Sequence, residues 1–127
     1  MDTNTTLPKR VLIVEDDSTI AFMLQMCYEF LGCEVIGSVE TAEDSLRFVQ
    51  GHTVDLVSMD IALLGVESGI DAAVELRKRA YMMPIIFVSA NNDIEEETKL
   101  VSNSLFLRKP IDLEDLTKAV QHFVAAA

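Results

Sequence analysis

Basic residues are scarce in this chain of 127 residues, and that scarcity limits its partners. Ten lysines and arginines stand against 21 aspartates and glutamates, giving a formal net charge of −11. Such a chain repels nucleic-acid phosphates and anionic membranes, so we expect neither as a partner. The chain has no run of about 18 apolar residues and no basic start before an apolar segment. We therefore expect a cytoplasmic protein without a membrane span or a secretory signal.

Cysteine and histidine are also scarce, with two of each. Cys27 falls on a predicted helix and Cys33 on the strand after it, without partners at the spacing of a metal site. We interpret both as small buried hydrophobic residues in a reducing environment. His52 and His122 stand alone, and we assign them no function.

Hydrophobic residues, by contrast, make up half of the chain. That is enough for a core without disulfides or structural metals, and the length corresponds to one domain. Residues 1–8 are polar, so we expect a flexible tail there and a single domain over residues 9–125.

Short apolar runs alternate with helical patterns along the chain. Val11–Val14 is a continuous apolar run, typical of a strand that is covered on both faces. The predicted strands cover residues 11–14, 33–36, 54–59, 85–88 and 105–107, and Gly37 is expected to close the second of them. Strands that alternate with helices predict a parallel sheet with helices on both faces, a small doubly wound α/β domain.

The helices between these strands have identifiable ends. Thr41 and Asp44 resemble a capping box, and Gly32 ends the first helix. The segment from residue 91 to about 101 predicts only a weak, acidic helix. The last helix, over residues 112–124, is amphipathic, with four apolar residues expected to face inward, namely Leu113, Leu116, Val120 and Phe123.

Polar side chains follow four of the strands. Glu15 and Asp16 come after the first strand, Asp60 after the third, Ser89 after the fourth and Lys109 after the fifth. In an open parallel sheet, ligands bind beyond the carboxyl ends of the strands, so these side chains should converge. Clustered carboxylates need a cation, and oxygen ligands favour magnesium or manganese. A metal beside a lysine suits phosphoryl transfer, with Asp60 as the nucleophile and Lys109 paired to a phosphoryl oxygen.

The three consecutive acids Glu15, Asp16 and Asp17 also have a simpler interpretation. Acidic residues favour helix N-termini, and Asp17 or Ser18 is a good candidate for the N-cap of the first helix.

Five stretches together resemble the receiver domains of bacterial response regulators, from about Arg10 to Val124. They are VLIVEDDSTI (11–20), VDLVSMDIAL (54–63), SGIDAAVELRK (68–78), PIIFVSA (84–90) and LFLRKPIDLEDL (105–116). The resemblance implies a flavodoxin-like sheet of five parallel strands in the order 2-1-3-4-5 with five helices.

The resemblance also implies roles for individual residues in a magnesium-dependent phosphoacceptor site. Asp60 is the phosphoacceptor and a metal ligand, Asp16 a direct ligand, and Glu15 a ligand partly through water. The backbone carbonyl of Ala62 completes the protein's share of the metal coordination. Lys109 pairs with the phosphoryl group, and its peptide bond to Pro110 is implied to be cis.

The resemblance also implies signalling roles for two further residues. Ser89 supplies the hydroxyl that reaches the phosphoryl group, and Phe106 occupies the position of the switch aromatic. The implied donor is a sensor histidine kinase or a phosphotransfer protein. The implied recipient is a downstream protein target or a fused output domain, with a homodimer as an option. Such a domain is not a conventional enzyme, although it catalyses its own phosphorylation and slow dephosphorylation.

The chain departs from the family pattern in two loops. The loop after Asp60 runs longer before Gly69, with Leu64 where proline is usual. The segment between Ser89 and Lys109 is somewhat shorter than in chemotaxis-type receivers. We therefore expect an irregular or short fourth helix.

Three alternatives from other classes remain open. A haloacid-dehalogenase-like phosphatase also uses a strand-end aspartate but requires a second acid two residues later, where this chain has Ala62. A flavodoxin-like electron carrier would need a phosphate-binding loop where this chain has Glu15, Asp16 and Asp17. A receiver-like scaffold that never takes phosphate is the third.

Overall fold

Five parallel strands form one sheet with helices on both faces. The computed structural model describes residues 9–91 and 94–125, so the predicted tail over 1–8 lies outside the described residues. Strands β1 to β5 cover Arg10–Val14, Glu34–Val39, Leu56–Asp60, Ile85–Ser89 and Ser104–Arg108. Helices α1 to α5 cover Ser18–Phe30, Ala42–Gly51, Gly69–Lys78, Glu95–Thr98 and Leu113–Ala125. The strand order is β2-β1-β3-β4-β5, which confirms the predicted fold.

The core consists of two apolar layers, one on each face of the sheet. Leu24 and Tyr28 of α1 pack with Leu116 of α5 on one face. Val49 of α2 and Leu76 of α3 pack on the other. Strands β3 and β4 are buried at every residue, and β1 at every residue after the first, because they lie inside the sheet and between both layers.

Side-chain caps begin four of the helices. At the start of α5, the Asp112 carboxylate accepts a hydrogen bond from the backbone nitrogen of Glu114 at 2.8 Å. Asp17 accepts hydrogen bonds from the backbone nitrogens of Thr19 and Ile20, at 2.9 and 3.1 Å, which confirms its capping role.

Thr41 caps α2, since its hydroxyl accepts from the backbone nitrogen of Asp44, but only this half of the predicted capping box forms, because the Asp44 carboxylate pairs with Arg47. Ser68 forms a reciprocal capping box at the start of α3. Within the described ranges, every helix is too short or too polar to span a bilayer.

Several local predictions are wrong. Strand β3 begins at Leu56, two residues later than predicted. Gly37 lies inside β2 instead of closing it, and it is glycine because a Cβ atom there would press on the ring of Phe48. Cys33 is buried but precedes β2, which begins one residue later. Leu113 does not face inward: it is the first residue of α5 and is 41 % exposed.

The fourth helix is short, as predicted. Helix α4 is a single turn without a side-chain cap, and residues 92 and 93 before it lie outside the described part of the chain. The loop that follows α4 is fixed from α3, since the guanidinium of Arg77 donates to the carbonyl oxygens of Ser102 and Asn103 at 2.8 and 3.3 Å. The segment before β5 is therefore anchored by a long-range contact and not by a long helix.

Candidate functional site

Three carboxylates meet where β1 and β3 end. Glu15 and Asp16 follow β1, and Asp60 is the last residue of β3, the strand that pairs with β1. Carboxylate oxygens of these three residues all lie within 4.8 Å of one another. Glu15 and Asp60 are buried, with 2 % and 3 % exposure, and Asp16 is half-buried. The parallel sheet thus brings together the acids that the sequence places at strand ends.

Lys109 provides the positive charge of this cluster. Its Nζ lies 3.0 Å from Glu15 Oε1 and 3.4 Å from Asp60 Oδ1. The lysine follows β5 and precedes Pro110 through a cis peptide bond, as predicted. Its backbone nitrogen donates to the carbonyl oxygen of Ser89 at 2.9 Å, which ties the ends of β4 and β5 together. One ammonium faces three carboxylates, so the cluster carries an excess of negative charge when all are ionised.

Burial changes the ionisation of this cluster. Burial raises the pKa of Glu15 to about 7; the hydrogen bond from Lys109 opposes the rise, and the neighbouring Asp60 adds to it. Burial by itself lowers the pKa of Lys109, but its hydrogen bond to Glu15 and the charge of Asp60 outweigh that effect and raise it. Near neutral pH, Lys109 is therefore an ammonium, while Glu15 exchanges between acid and carboxylate.

Backbone packing holds Asp60 in place. The backbone nitrogen of Ala62 donates to Asp60 Oδ1 at 3.3 Å. Gly69, the first residue of α3, donates its backbone nitrogen to Ile61 O at 2.9 Å, and a Cβ atom on it would overlap the carbonyl oxygen of Asp60. The glycine therefore lets α3 begin directly against the site. Sequence analysis missed this contact, although a glycine directly after the Ser68 cap was a signal for it.

Ser89 and Phe106 lie on the neighbouring strands. Ser89 ends β4 and is buried, and its hydroxyl accepts a hydrogen bond from the backbone nitrogen of Asn91 at 3.0 Å. Phe106 pairs in register with Phe87 on β4 and is half-buried. It lines a groove of about 220 Å³ with Thr98 and other residues around α4. Ser89 therefore sits at the same sheet edge as the acids, and Phe106 lies further back along β5.

Comparison with known protein families shows which family has this arrangement of residues. The sequence profile of the response regulator receiver domain matches residues 11–121. The chain belongs to this family. The resemblance of its five sequence stretches to receiver domains is therefore confirmed.

Several curated proteins resemble this receiver domain. It is 30% identical over 122 residues to the transcriptional regulatory protein PdtaR of Mycobacterium tuberculosis, covering 94% of this chain and 58% of that protein. It is 37% identical over 108 residues to the uncharacterized transcriptional regulatory protein YbdJ of Bacillus subtilis, covering 84% of this chain and 47% of that protein. The chain thus spans about half the length of these curated relatives.

Solved structures show the same fold. A putative response regulator from Chloroflexus aurantiacus superposes with a TM-score of 0.85 at 24% identity, covering 93% of this chain and 98% of that one. The response regulator TrrA of Thermotoga maritima, solved in complex with Mg²⁺ and BeF, superposes with a TM-score of 0.82 at 26% identity, covering 91% and 98%.

The acid cluster of this receiver domain fits a small, hard cation. Three carboxylates with oxygens within 4.8 Å of one another offer the ligand type that magnesium and manganese prefer. A divalent cation there would also offset the charge that Lys109 leaves uncompensated. Glu15, Asp16 and Asp60 are thus the side chains that could hold a metal ion.

Magnesium should raise the thermal midpoint of this receiver domain. A ligand that binds the folded state stabilises it, and neutralising the acid cluster adds to the effect. We expect a rise of a few degrees at millimolar magnesium, measured by differential scanning fluorimetry. Asp16→Ala should remove the rise, whereas Asp115→Ala, which alters an exposed acid of α5, should keep it. An equal rise in the Asp16→Ala protein would count against the site.

Proposed function

We propose that this receiver domain accepts a phosphoryl group on Asp60 from a sensor histidine kinase or a phosphotransfer protein. The observation that carries the proposal is the buried Asp60 carboxylate, which lies within 4.8 Å of the acids at positions 15 and 16 and 3.4 Å from Lys109 Nζ. One site thus combines a nucleophile, ligands for a cation and a compensating ammonium, which are the needs of phosphoryl transfer.

The transfer forms one bond and breaks another. A carboxylate oxygen of Asp60 attacks phosphorus, and the bond from phosphorus to the donor's imidazole nitrogen breaks, with the electron pair leaving on the imidazole. Lys109 turns its Nζ from Glu15 and Asp60 toward a phosphoryl oxygen as a point charge. Magnesium, when bound, supplies further charge neutralisation. Its proposed ligands are Asp16, Asp60 and the Ala62 carbonyl, with Glu15 acting partly through water.

The new charge changes the surface near α4 and β5. The Ser89 hydroxyl moves toward the phosphoryl group and gives up its present position beside the Asn91 nitrogen. That movement leaves space into which Phe106 rotates from the groove beside α4. The result is a shift between two packings of the same elements, biased by a local charge.

The recipient of the signal is a protein. We propose a downstream protein target or a fused output domain, in line with the greater length of the relatives, which are transcriptional regulators by name. The net charge of −11 disfavours direct contact of this domain with nucleic acid. With this phosphoryl donor and this recipient, we propose that the domain acts in the cytoplasm.

Lys109→Ala should uncouple phosphorylation from the switch. The protein should still take phosphate from acetyl phosphate, because Asp60 and its acidic neighbours remain. The ring signals of Phe106 in NMR spectra should then lose most of their phosphate-dependent shift, because the charge is no longer sensed at the end of β5. Lys118→Ala, which removes an exposed lysine paired with Glu114 on α5, should respond like wild type. A full shift in the Lys109→Ala protein would disprove this switch.

Residues that flank the path of the attacking water should set the lifetime of the phosphoryl group. Ala62 has no polar group to orient water and little bulk to exclude it, and Asn91 can hydrogen-bond water but cannot act as a base. We expect an intermediate lifetime. Asn91→Lys should lengthen it several-fold by shielding the phosphoryl group, and Gln121→Lys on the exposed face of α5 should leave it unchanged. The decay of labelled protein after donor removal measures both, and equal decay rates would show that other residues position the water.

A further inference from the structure

The basic residues of this acidic chain are concentrated at the end of α3. Three of the ten lysines and arginines are consecutive there, namely Arg77, Lys78 and Arg79. Arg79 forms a salt bridge with Glu75 at 2.9 Å. Among the described residues, the salt bridges leave Arg77 and Lys78 without a carboxylate partner. The end of α3 therefore carries positive charge that the folded domain does not neutralise.

These two cations are not needed to complete the end of α3. Basic residues in a last turn often satisfy the carbonyl oxygens that a helix leaves open. Backbone nitrogens of the following turn serve that purpose here, at 3.0 Å in each case: Glu75, Leu76 and Arg77 accept from Arg79, Tyr81 and Ala80, respectively. The ammonium of Lys78 is exposed and takes no part in these bonds. It is therefore available to a partner.

An open groove of about 310 Å³, which we call the α3 groove, lies beside these cations. It is lined by Val74, Arg77 and Lys78 of α3 and by Leu100 and Val101 after α4. Leu100 is 87 % exposed and Val74 is 40 % exposed, whereas Val101 is buried. The three residues of α3 are spaced three and four apart, so they share one face of the helix. The groove thus combines apolar surface with two uncompensated cations.

Hydrogen bonds fix the two sides of the α3 groove to each other. The guanidinium of Arg77 donates to the carbonyl oxygens of Tyr81 and Ser102, at 2.8 Å each. The side-chain amide of Asn103 donates to Met82 O at 2.8 Å and joins the same two segments. Burial lowers the pKa of Arg77, and its carbonyl partners carry no formal charge to offset that effect. The groove is therefore preformed, which reduces the cost of ordering it around a ligand.

We propose that the α3 groove binds an acidic segment of a partner protein, with an apolar side chain against Leu100 and Val74 and a carboxylate at Lys78. Charge selects this partner, because a chain of −11 repels an acidic segment over most of its surface and attracts it where basic residues adjoin. The apolar lining favours a peptide over a nucleic acid. Its volume lies at the lower end of the range for ligand pockets, about 300–1,000 Å³, and so suits a short segment.

Titration with a model peptide tests the α3 groove. The probe is a short fluorescein-labelled peptide of alternating glutamate and leucine, and fluorescence anisotropy follows its binding. We expect a dissociation constant of roughly 10–100 µM at low salt. Higher salt should weaken the binding, because ions screen charge pairs at a surface. Peptides with glutamine in place of glutamate, or serine in place of leucine, should bind several-fold more weakly.

A matched pair of double variants locates the contact. Lys78→Glu with Leu100→Ser reverses the available cation and removes the most exposed apolar side chain of the α3 groove. It should raise the dissociation constant by about tenfold or more. The control, Lys118→Glu with Val66→Ser, makes the same kinds of change elsewhere on the surface and gives the same net charge. It should bind like wild type. All four side chains are exposed, so both variants should fold.

Four other results would overturn the proposal. The first is absence of peptide binding, and the second is equal weakening in the groove variant and the control variant. Displacement of the peptide by inorganic phosphate at the same concentration would reduce the α3 groove to a simple anion site. Tighter binding of a single-stranded oligonucleotide that depends on Lys78 would assign the groove to nucleic acid. Sedimentation equilibrium provides a further check, because self-association that only the groove variant loses would assign the groove to a second copy.

Peptide binding and the phosphoacceptor role fail separately. The peptide should bind the unphosphorylated wild type and Asp60→Asn alike, because the α3 groove lies outside the acid cluster. Acetyl phosphate should label the groove variant as it labels wild type. Loss of peptide binding with full labelling affects only this proposal, and loss of labelling with intact peptide binding affects only the proposed function.

Discussion

Asp60→Asn abolishes labelling by acetyl phosphate, if this receiver domain works as proposed. An amide is a poor nucleophile and gives no negative charge to a bound cation, so the acid-labile, hydroxylamine-sensitive label should fall to background, at least about 100-fold below wild type. Phosphate-affinity gels or intact mass spectrometry would measure it. The side chain is nearly isosteric and lies at the end of a buried strand, so the variant should fold.

The matched control for this substitution is Asp115→Asn, which removes the charge of an exposed aspartate on α5. It should label like wild type. Circular dichroism of the Asp60→Asn protein should match wild type, which separates loss of the nucleophile from loss of the fold. Full labelling of Asp60→Asn would place the phosphoacceptor at another residue.

The contribution of Glu15 to the stability of the metal-free protein should fall as pH rises from about 4.5 to about 7. In the unfolded chain Glu15 has its ordinary pKa of 4.5, whereas in the folded protein burial raises its pKa to about 7. Between these values the folded state holds more protons, so the free energy of unfolding decreases with rising pH. A shift of this size corresponds to a loss of at most about 3 kcal/mol.

Urea unfolding of wild type and Glu15→Gln at pH 5 and pH 8, without divalent metal, measures this effect. Other groups also titrate in this range, so the difference between the two proteins isolates Glu15. We expect Glu15→Gln to gain stability relative to wild type as the pH rises. Magnesium should stabilise wild type more at pH 8 than at pH 5, because it favours the carboxylate form. A difference that does not change with pH would mean that Glu15 titrates normally in the folded state.

Sequence patterns predict the sheet well because burial on both faces leaves a strong signal. The runs that became β1 and β4 are continuous and apolar, and both strands lie inside the sheet. The candidate site follows from the same logic. Glu15, Asp60 and Lys109 each come directly after or at the end of a strand, and parallel strands bring those ends to one edge.

What the sequence does not predict are contacts that depend on the final packing. The ion pair between Lys109 and Glu15 joins residues from opposite ends of the chain, and nothing in the local pattern at either one selects the other. Gly69 contacts the backbone of Asp60 only because α3 begins directly beneath the site. Leu113 fits the apolar pattern of α5, yet its side chain is exposed to solvent because it is the first residue of the helix.

The single turn of α4 has a consequence for how the switch would be observed. A four-residue helix without a side-chain cap cannot hold its shape through its own hydrogen bonds, so it depends on the burial of its last residue, Thr98, and of Val101 after it. Its amides should exchange with solvent through local opening, whereas those of β4 exchange only when the whole domain unfolds. A change at Phe106 would then register as altered exchange protection in residues 95–101. We therefore expect the proposed switch to produce an order–disorder response around α4 and not the displacement of a rigid helix.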